Sequence, residues 1–231
     1  MRVLWLGRAH YQPVLLLQQR LRAQVLAGGE ETILFVEHPP VITLGHRATA
    51  ADLLVPQDVL QAAGIETVRV QRGGQATYHG PGQLVVYPVV RLRGGVVGHI
   101  DWLTESAVAT AARLGVTAEY RPDPVGVWAS DRKLGAVGGH VEHQVAIHGL
   151  SLNVTASSTE VFRQRLFVPC GARAAQVTSL VEEGASAALT THDVAMLFAA
   201  ILLARRELAP LPLRSCSVES LLDVVPTAVA R

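Results

Sequence analysis

The sequence predicts a single domain of the α/β class. Its 231 residues, 49% of them hydrophobic, are enough to enclose a sizeable core. Stretches with helical periodicity alternate with short apolar runs bounded by glycine and proline, the pattern of helices laid on a sheet. No internal repeat, low-complexity run or linker divides the chain.

The elements follow in order. Pro13 at a first helical position, Leu17, Leu21 and Val25 at four-residue spacing, and Gly28-Gly29 beyond them predict an amphipathic helix that covers a sheet. Thr32 to Glu37 reads as a strand, interrupted by His38-Pro39-Pro40 and resumed from Val41 to Leu44. A short helix is expected over Pro56 to Gly64 and a strand over Ile65 to Val70. Gln83 to Val90 is almost continuously apolar, as in a strand covered on both faces. A helix is expected from Asp101 to Leu114, then strands at Val116 to Tyr120 and Gly126 to Ser130. Asp131-Arg132 is turn-like, so Gly126 to Gly138 reads as a hairpin with Lys133 just past its turn. Gly149 to Val154 is a further strand and Thr159 to Arg165 a short helix. Thr190 and Asp193 have the spacing of a capping box for a helix running to Arg206. Beyond Pro210 and Pro212 only a short helical segment, Val218 to Leu222, is expected.

Composition narrows the function classes. The formal net charge is +1 and no block of like charges occurs, so neither nucleic acid nor an anionic membrane surface is an expected partner. Gly7 and Arg8 break the first apolar run before a signal-peptide core forms, and Val194 to Ala204 is too short to span a bilayer, so a cytoplasmic location is expected. Cys170 and Cys216 read as thiols, since neither lies in a Cys-x-x-Cys pattern. Lys133 is the only lysine in the chain and Asn153 the only asparagine. A bias that replaces lysine with arginine elsewhere makes the surviving lysine a functional candidate, because arginine never releases its proton and a partly buried lysine can.

Arg72 to Pro88, RGGQATYHGPGQLVVYP, crowds four glycines and a proline between two apolar runs. It lacks the G-x-G-x-x-G and G-K-[ST] signatures of nucleotide loops, and a strand rather than a helix follows it. Without Cβ atoms such a loop can form a close wall against an elongated ligand, with Thr77, Tyr78 and His79 at its mouth; a tight structural turn is the alternative. Glu37 and His38 form either a catalytic pair or, as is commoner beside a double proline, a loop cap. His140 to His148 (HVEHQVAIH) raises metal binding, but His140 and Glu142 share one strand face while His143 points the other way, so an exposed hairpin is expected and no metal.

Three blocks taken together, EHPPVITLG (Glu37 to Gly45), the glycine-rich Arg72 to Pro88, and GVWASDRKLGAVGG…HGLSLNV…FVPCG (Gly126 to Gly171), resemble the lipoyl(octanoyl) transferases, the octanoyl-[acyl carrier protein]:protein N-octanoyltransferases. The resemblance covers about residues 10 to 182. It implies the fold of the biotin and lipoate protein ligase catalytic domain, a mixed β-sheet flanked by helices, with residues 1–210 as catalytic domain and 211–231 as a C-terminal tail. It also implies transfer of an octanoyl group from octanoyl-acyl carrier protein to a lysine of the lipoyl domains of 2-oxoacid dehydrogenase E2 subunits or of the glycine cleavage H protein, with no cofactor. The acyl-carrying cysteine falls on Cys170 and the activating lysine on Lys133. The acyl-binding positions fall on Arg72, Gly73, Gly74, Gln75, Ala76, Thr77, Tyr78 and His79, on Ala136, Val137 and Gly138, and on Gly149, Leu150 and Ser151. Leu134-Gly135 departs from the usual Ile-Ala after the lysine, and the histidine-rich hairpin is unlike most members.

The chemistry is coherent on its own terms. A thioester donor and an amine acceptor can be joined by a thiol relay, because thioester exchange is nearly neutral and amide formation is downhill. A thiol of unperturbed pKa about 8.5 gains from a cationic neighbour, while an apolar tunnel pushes both groups toward their neutral forms, so the two would titrate as a pair. Rival readings are an ATP-dependent lipoate or biotin ligase on the same fold, a transferase moving octanoyl between carrier proteins, and a non-catalytic module that binds lipoyl domains. Arg163, Arg165 and Arg173 can either meet an acidic carrier or form a solvated face.

Overall fold

The computed structural model describes residues 1–164, 166–168 and 176–225. In chain order it contains β1 (Arg2–Arg8), α1 (Tyr11–Leu26), β2 (Thr32–Glu37), β3 (Val41–Leu44), α2 (Gln57–Ala62), β4 (Glu66–Arg69), β5 (Ala76–His79), β6 (Gln83–Arg91) and α3 (Gly95–Arg113). There follow β7 (Glu119–Pro122), β8 (Val125–Ala129), β9 (Arg132–Glu142), β10 (Val145–Asn153), α4 (Glu160–Arg163), α5 (Thr191–Ala204), β11 (Arg214–Ser215) and α6 (Val218–Val224).

An eight-stranded mixed sheet runs in the order β11-β1-β2-β6-β10-β9-β8-β7, and β4-β3-β5 form a smaller sheet. Among the named strands of the described residues, β1 pairs in parallel with β2 and β11, and β3 with β4; the other pairs are antiparallel. The sheet is covered on both faces, which explains the unbroken apolar run of β6. Ile33 and Phe35 of β2 pack with Trp102 and Leu103 of α3 and Phe198 of α5. The intervening Leu34 and Val36 pack with Leu17 and Leu21 of α1 and with α6 on the other side. A third cluster, with Ile42, Tyr78, Phe162 and Phe167, lies under the small sheet. The architecture is a mixed sheet flanked by helices.

Several elements differ from the sequence expectation. The N-terminal apolar run, read only as too short for a leader, forms β1 and pairs in register with β2. Helix α3 begins six residues before Asp101, at Gly95, directly after Gly94 in the left-handed region. Its first turns carry Gly95, Val96, Val97 and Gly98, which have poor helix propensity, so docking on the sheet decides the start. The hairpin carrying Lys133 turns at Ser130 (φ +52°), but β9 runs on to Glu142, where His143 and Gln144 form the next tight turn with positive φ. The tip of the histidine-rich segment is exposed as expected. His148 departs from that expectation: it is buried, because β10 carries it back beneath α1.

Glu37 and His38 do not pair with each other. Glu37 Oε1 accepts from Arg8 Nε (2.9 Å) and Nη2 (2.6 Å), and Oε2 accepts from the Gly82 N–H (3.2 Å) and the Thr191 hydroxyl (3.0 Å). One carboxylate thus ties β1, the Gly-Pro-Gly turn and the start of α5. That helix has the expected capping box: Thr190 and Asp193 satisfy each other's backbone N–H groups.

Candidate active site

The principal cleft has a volume of about 690 Å³ and lies between the glycine-rich loop, β9 and the first turns of α3. Nine of the sequence-predicted site residues line it: Arg72, Gly73, Gly74, Thr77, Lys133, Ala136, Val137, Gly138 and Gly149. Two small voids share part of its lining. One, of about 40 Å³, is bounded by Ala76, Thr77, Tyr78, Lys133, Ala136 and Ser151. The other, of about 30 Å³, is bounded by Arg72, Thr77, His79, Leu150 and Ser151 among others. Gln75 is exposed and borders none of the three. Tyr78 and His79 are buried rather than at the mouth, because β5 is paired along β3: Tyr78 turns into the Phe162 and Phe167 cluster and His79 turns to the sheet.

Lys133 stands near the start of β9, 7% exposed, with Nζ 5.8 Å from the centre of the Trp128 ring. Glycine makes its place. A Cβ at Gly126 would lie 2.6 Å from Lys133 Cε and 2.7 Å from the Gly135 carbonyl oxygen, so the aliphatic stem occupies the space a side chain on β8 would take. A register shift between Val127 and Trp128 accompanies this approach.

The glycine loop is held by Arg72. Its Nη2 donates to the Thr43 carbonyl (2.7 Å) and hydroxyl (2.7 Å), its Nε to the same hydroxyl (3.2 Å), and its Nη1 to the Gly73 carbonyl (2.9 Å). The loop backbone lies close against β3, since a Cβ on Gly45 would come within 2.4 Å of the Gly74 oxygen. Gly73 N–H reaches across to the Gly139 oxygen (3.0 Å) and joins loop to cleft wall.

Behind the loop is a buried cluster that sequence reading missed: Tyr11 of α1, His38 just past β2, His79 of β5, Tyr87 of β6 and His148 of β10. His38 Nδ1 donates to the Ala9 carbonyl (2.7 Å), so Nε2 accepts from Tyr87 (3.0 Å). Tyr11 bonds His148 Nδ1 at 3.4 Å. Burial lowers the pKa of His38 to about 4 and of His79 and His148 to about 3, and raises that of Tyr11 to about 12 and Tyr87 well above its ordinary value. Burial favours the neutral form of each of these groups, which serve one another as hydrogen-bond donors and acceptors.

His79 also begins a chain of hydrogen bonds to the lysine strand. Gln83 Nε2 donates to Asn153 Oδ1 (2.8 Å), which leaves Gln83 Oε1 to accept from His79 Nδ1 (2.7 Å). Asn153 Nδ2 donates to the Thr178 carbonyl (2.9 Å), and Thr178 N–H donates to the Lys133 carbonyl (3.0 Å). The only asparagine in the chain therefore clamps the segment containing Val177 and Thr178 onto the strand of Lys133. Cys170, with Arg165 and Arg173, lies outside the described residues. Cys216 is half-buried against the α1 cluster.

Other cleft residues also escaped the sequence. Val96, His99, Ile100 and Leu103 of α3 form its far wall, and His46, Arg47 and Gln71 join its near side. The glycine pair before α3 signalled only a break. Among the described residues, no group of three His, Cys, Asp or Glu side chains is placed to hold a metal ion, and no helix is long and apolar enough to cross a membrane.

Comparison with known proteins places the chain in a family. An octanoyltransferase from Geobacter metallireducens is 40% identical over 179 residues, 76% of this chain and 79% of the relative. One from Desulfovibrio desulfuricans is 36% identical over 183 residues, covering 78% and 76%. The crystal structure of a lipoate-protein ligase A bound with ATP superposes with a TM-score of 0.76 at 16% identity, covering 96% of this chain and 92% of the other, and so shares the fold. Residues 10–202 match the family described as the lipoyl protein ligase A/B catalytic domain. The chain is therefore an enzyme of the octanoyltransferase and ligase superfamily and belongs to the lipoyl protein ligase A/B catalytic domain family.

Proposed function

We propose that the protein is a cytoplasmic lipoyl(octanoyl) transferase that moves an octanoyl or lipoyl group from acyl carrier protein to the lysine of lipoyl domains. The acceptors are those of 2-oxoacid dehydrogenase E2 subunits and the glycine cleavage H protein. One observation carries the reading: the only lysine in the chain is buried at the junction of a large cleft and a narrow inner void, walled by the predicted acyl-binding segments. The octanoyltransferases that this chain resembles at 36% and 40% identity support the substrate assignment.

In this mechanism the Cys170 thiolate attacks the thioester carbonyl; the C–S bond to the carrier breaks, and the carrier sulfur leaves as a thiol with the proton given up by the Lys133 ammonium, which leaves Lys133 neutral. The acceptor amine then attacks the Cys170 thioester. Lys133, as a neutral amine, takes the proton from that nitrogen as the amide forms, and Cys170 is released. Residues 1–210 carry the reaction, and residues 211–231 form the C-terminal segment whose described part pairs with β1 and packs on α1.

The test is incubation with octanoyl-acyl carrier protein without ATP, followed by intact mass measurement. An octanoyl adduct that disappears in Cys170→Ser supports the relay. Absence of an adduct, with lipoylation that depends on ATP and Mg²⁺, would assign the protein to the ligases instead.

A further inference from the structure

The surface arginines of this chain fall into two groups. Arg22, Arg121, Arg132, Arg163 and Arg205 each meet a carboxylate. Arg163, which the sequence offered as a contact for an acidic carrier, is thus already matched by Glu182. Arg47 and Arg69 differ: both are exposed, and neither has an ion-pair partner among the described residues.

These two stand together at the edge of the principal cleft. Arg47 lines it, with its N–H donating to the Gly74 carbonyl (3.1 Å). Arg69, paired with Leu44 at the end of β4, donates from Nη1 to the Ala48 carbonyl (3.4 Å) of the same turn. The acids near them in sequence do not offset the charge. Asp52 is 6% exposed and gives its carboxylate to the Thr49 N–H (2.7 Å), and Glu66 lies at the far end of β4, against Val41. In a chain of net charge +1, this rim is a local positive surface.

The same segment carries an exposed apolar pair. Leu53 bridges Phe167, the Leu54 N–H donates to the Leu166 carbonyl (3.0 Å), and the Val168 N–H donates to the Asp52 carbonyl (2.8 Å). Phe167 turns inward, so its neighbour Val168 and the facing Leu54 turn outward, 42% and 53% exposed. Residues 46–54 therefore join the cleft edge to Val168, and Cys170 follows two positions later in the sequence. Apolar side chains bordered by charge are the composition of a protein contact surface. Whatever protein brings an acyl group into the cleft and its thioester to Cys170 must rest beside this strip, and the unmatched arginines require that it be acidic.

We propose that Arg47, Arg69, Leu54 and Val168 form the docking surface for the protein part of the donor, an acidic carrier whose charged face lies on the two arginines. This rests on the transferase reading and adds where the carrier sits. Cys170 acylation is followed by intact mass with octanoyl-acyl carrier protein and with octanoyl-pantetheine, which has no protein part; transfer from the acyl-enzyme to an E2 lipoyl domain is followed separately. Arg69→Glu is expected to lower the acylation rate from the carrier about tenfold at low salt, with octanoyl-pantetheine and the lipoyl-domain step within about twofold. Arg69→Lys should retain most of the carrier rate. Added salt should slow the wild-type carrier reaction more than that of Arg69→Glu. Equal losses on both donors, no loss on the carrier, or a loss confined to the lipoyl-domain step, which would give the surface to the acceptor, would overturn the assignment. If the carrier donor does not acylate the wild-type protein, the transferase reading fails. Fluorescence anisotropy with labelled acyl carrier protein then decides the surface: weaker binding by Arg69→Glu supports it, and equal binding or none overturns it.

Discussion

The buried histidines make the fold acid-labile over a defined range. His38, His79 and His148 are held neutral, with pKa values lowered by burial to about 4, 3 and 3. In the unfolded chain each returns to about 6.5. The unfolded state therefore binds more protons than the folded state between pH 6.5 and about 3–4, and stability falls as pH falls through that window. Above pH 6.5 the contribution is complete. Between pH 6.5 and 5.5 each histidine withdraws about 1 kcal/mol, so the three together withdraw about 3 kcal/mol, a large part of the 5–15 kcal/mol typical of a domain. The measurement is urea unfolding at pH 7.5, 6.5 and 5.5 at constant ionic strength, with ΔG from linear extrapolation. A change below about 1 kcal/mol between the last two points would show that the cluster is protonated, or opened to water, in the folded protein.

Other outcomes follow from single contacts. Lys133→Arg keeps a cation but cannot accept the amine proton, so octanoyl transfer to a lipoyl domain should fall by more than tenfold while acylation of Cys170 persists by intact mass. Near-normal turnover would remove the base role. Gly126→Ala places a methyl 2.6 Å from Lys133 Cε, and kcat/KM should drop at least tenfold, equivalent to about 1.4 kcal/mol of barrier. Asn153→Ala leaves Gln83 Nε2 and the Thr178 carbonyl without their partner; denaturant titration should show a loss of about 1–3 kcal/mol. Glu37→Leu removes the acceptor for Gly82 and Thr191, and a comparable loss should appear as a lower Tm.

The parts of the site that were legible in the sequence are those carried by local pattern. The glycine density of Arg72 to Pro88 announced close backbone approach, and the structure places Gly74 against Gly45 and Gly73 against Gly139. Lys133 stood out as a singular residue type, and the turn before it was visible in Asp131-Arg132, one residue past the Ser130 at which the chain reverses. The far wall was not legible, since Gly94, Gly95 and Gly98 are read locally as breakers and only docking makes them the start of α3. Nor was the buried cluster. Tyr11, His38, His79, Tyr87 and His148 are scattered over 138 positions, and only the strand order β2-β6-β10 beneath α1 brings them together. Reading Glu37 and His38 as neighbours in sequence concealed that strand geometry sends the carboxylate to Arg8 and Thr191 and the imidazole to Ala9 and Tyr87.

The burial of Lys133 has a further consequence for an enzyme that handles activated acyl groups. Thioesters acylate accessible amines without discrimination, and a protein that holds one close to its own surface lysines becomes a substrate for it. Here no other lysine side chain exists, and this one is 7% exposed, beside the Trp128 ring. Arginine fills the remaining cationic positions and stays protonated, so it offers no nucleophile. On the proposed transferase reading, adventitious acylation of a lysine side chain is thereby confined to a position where it would register at once as lost turnover.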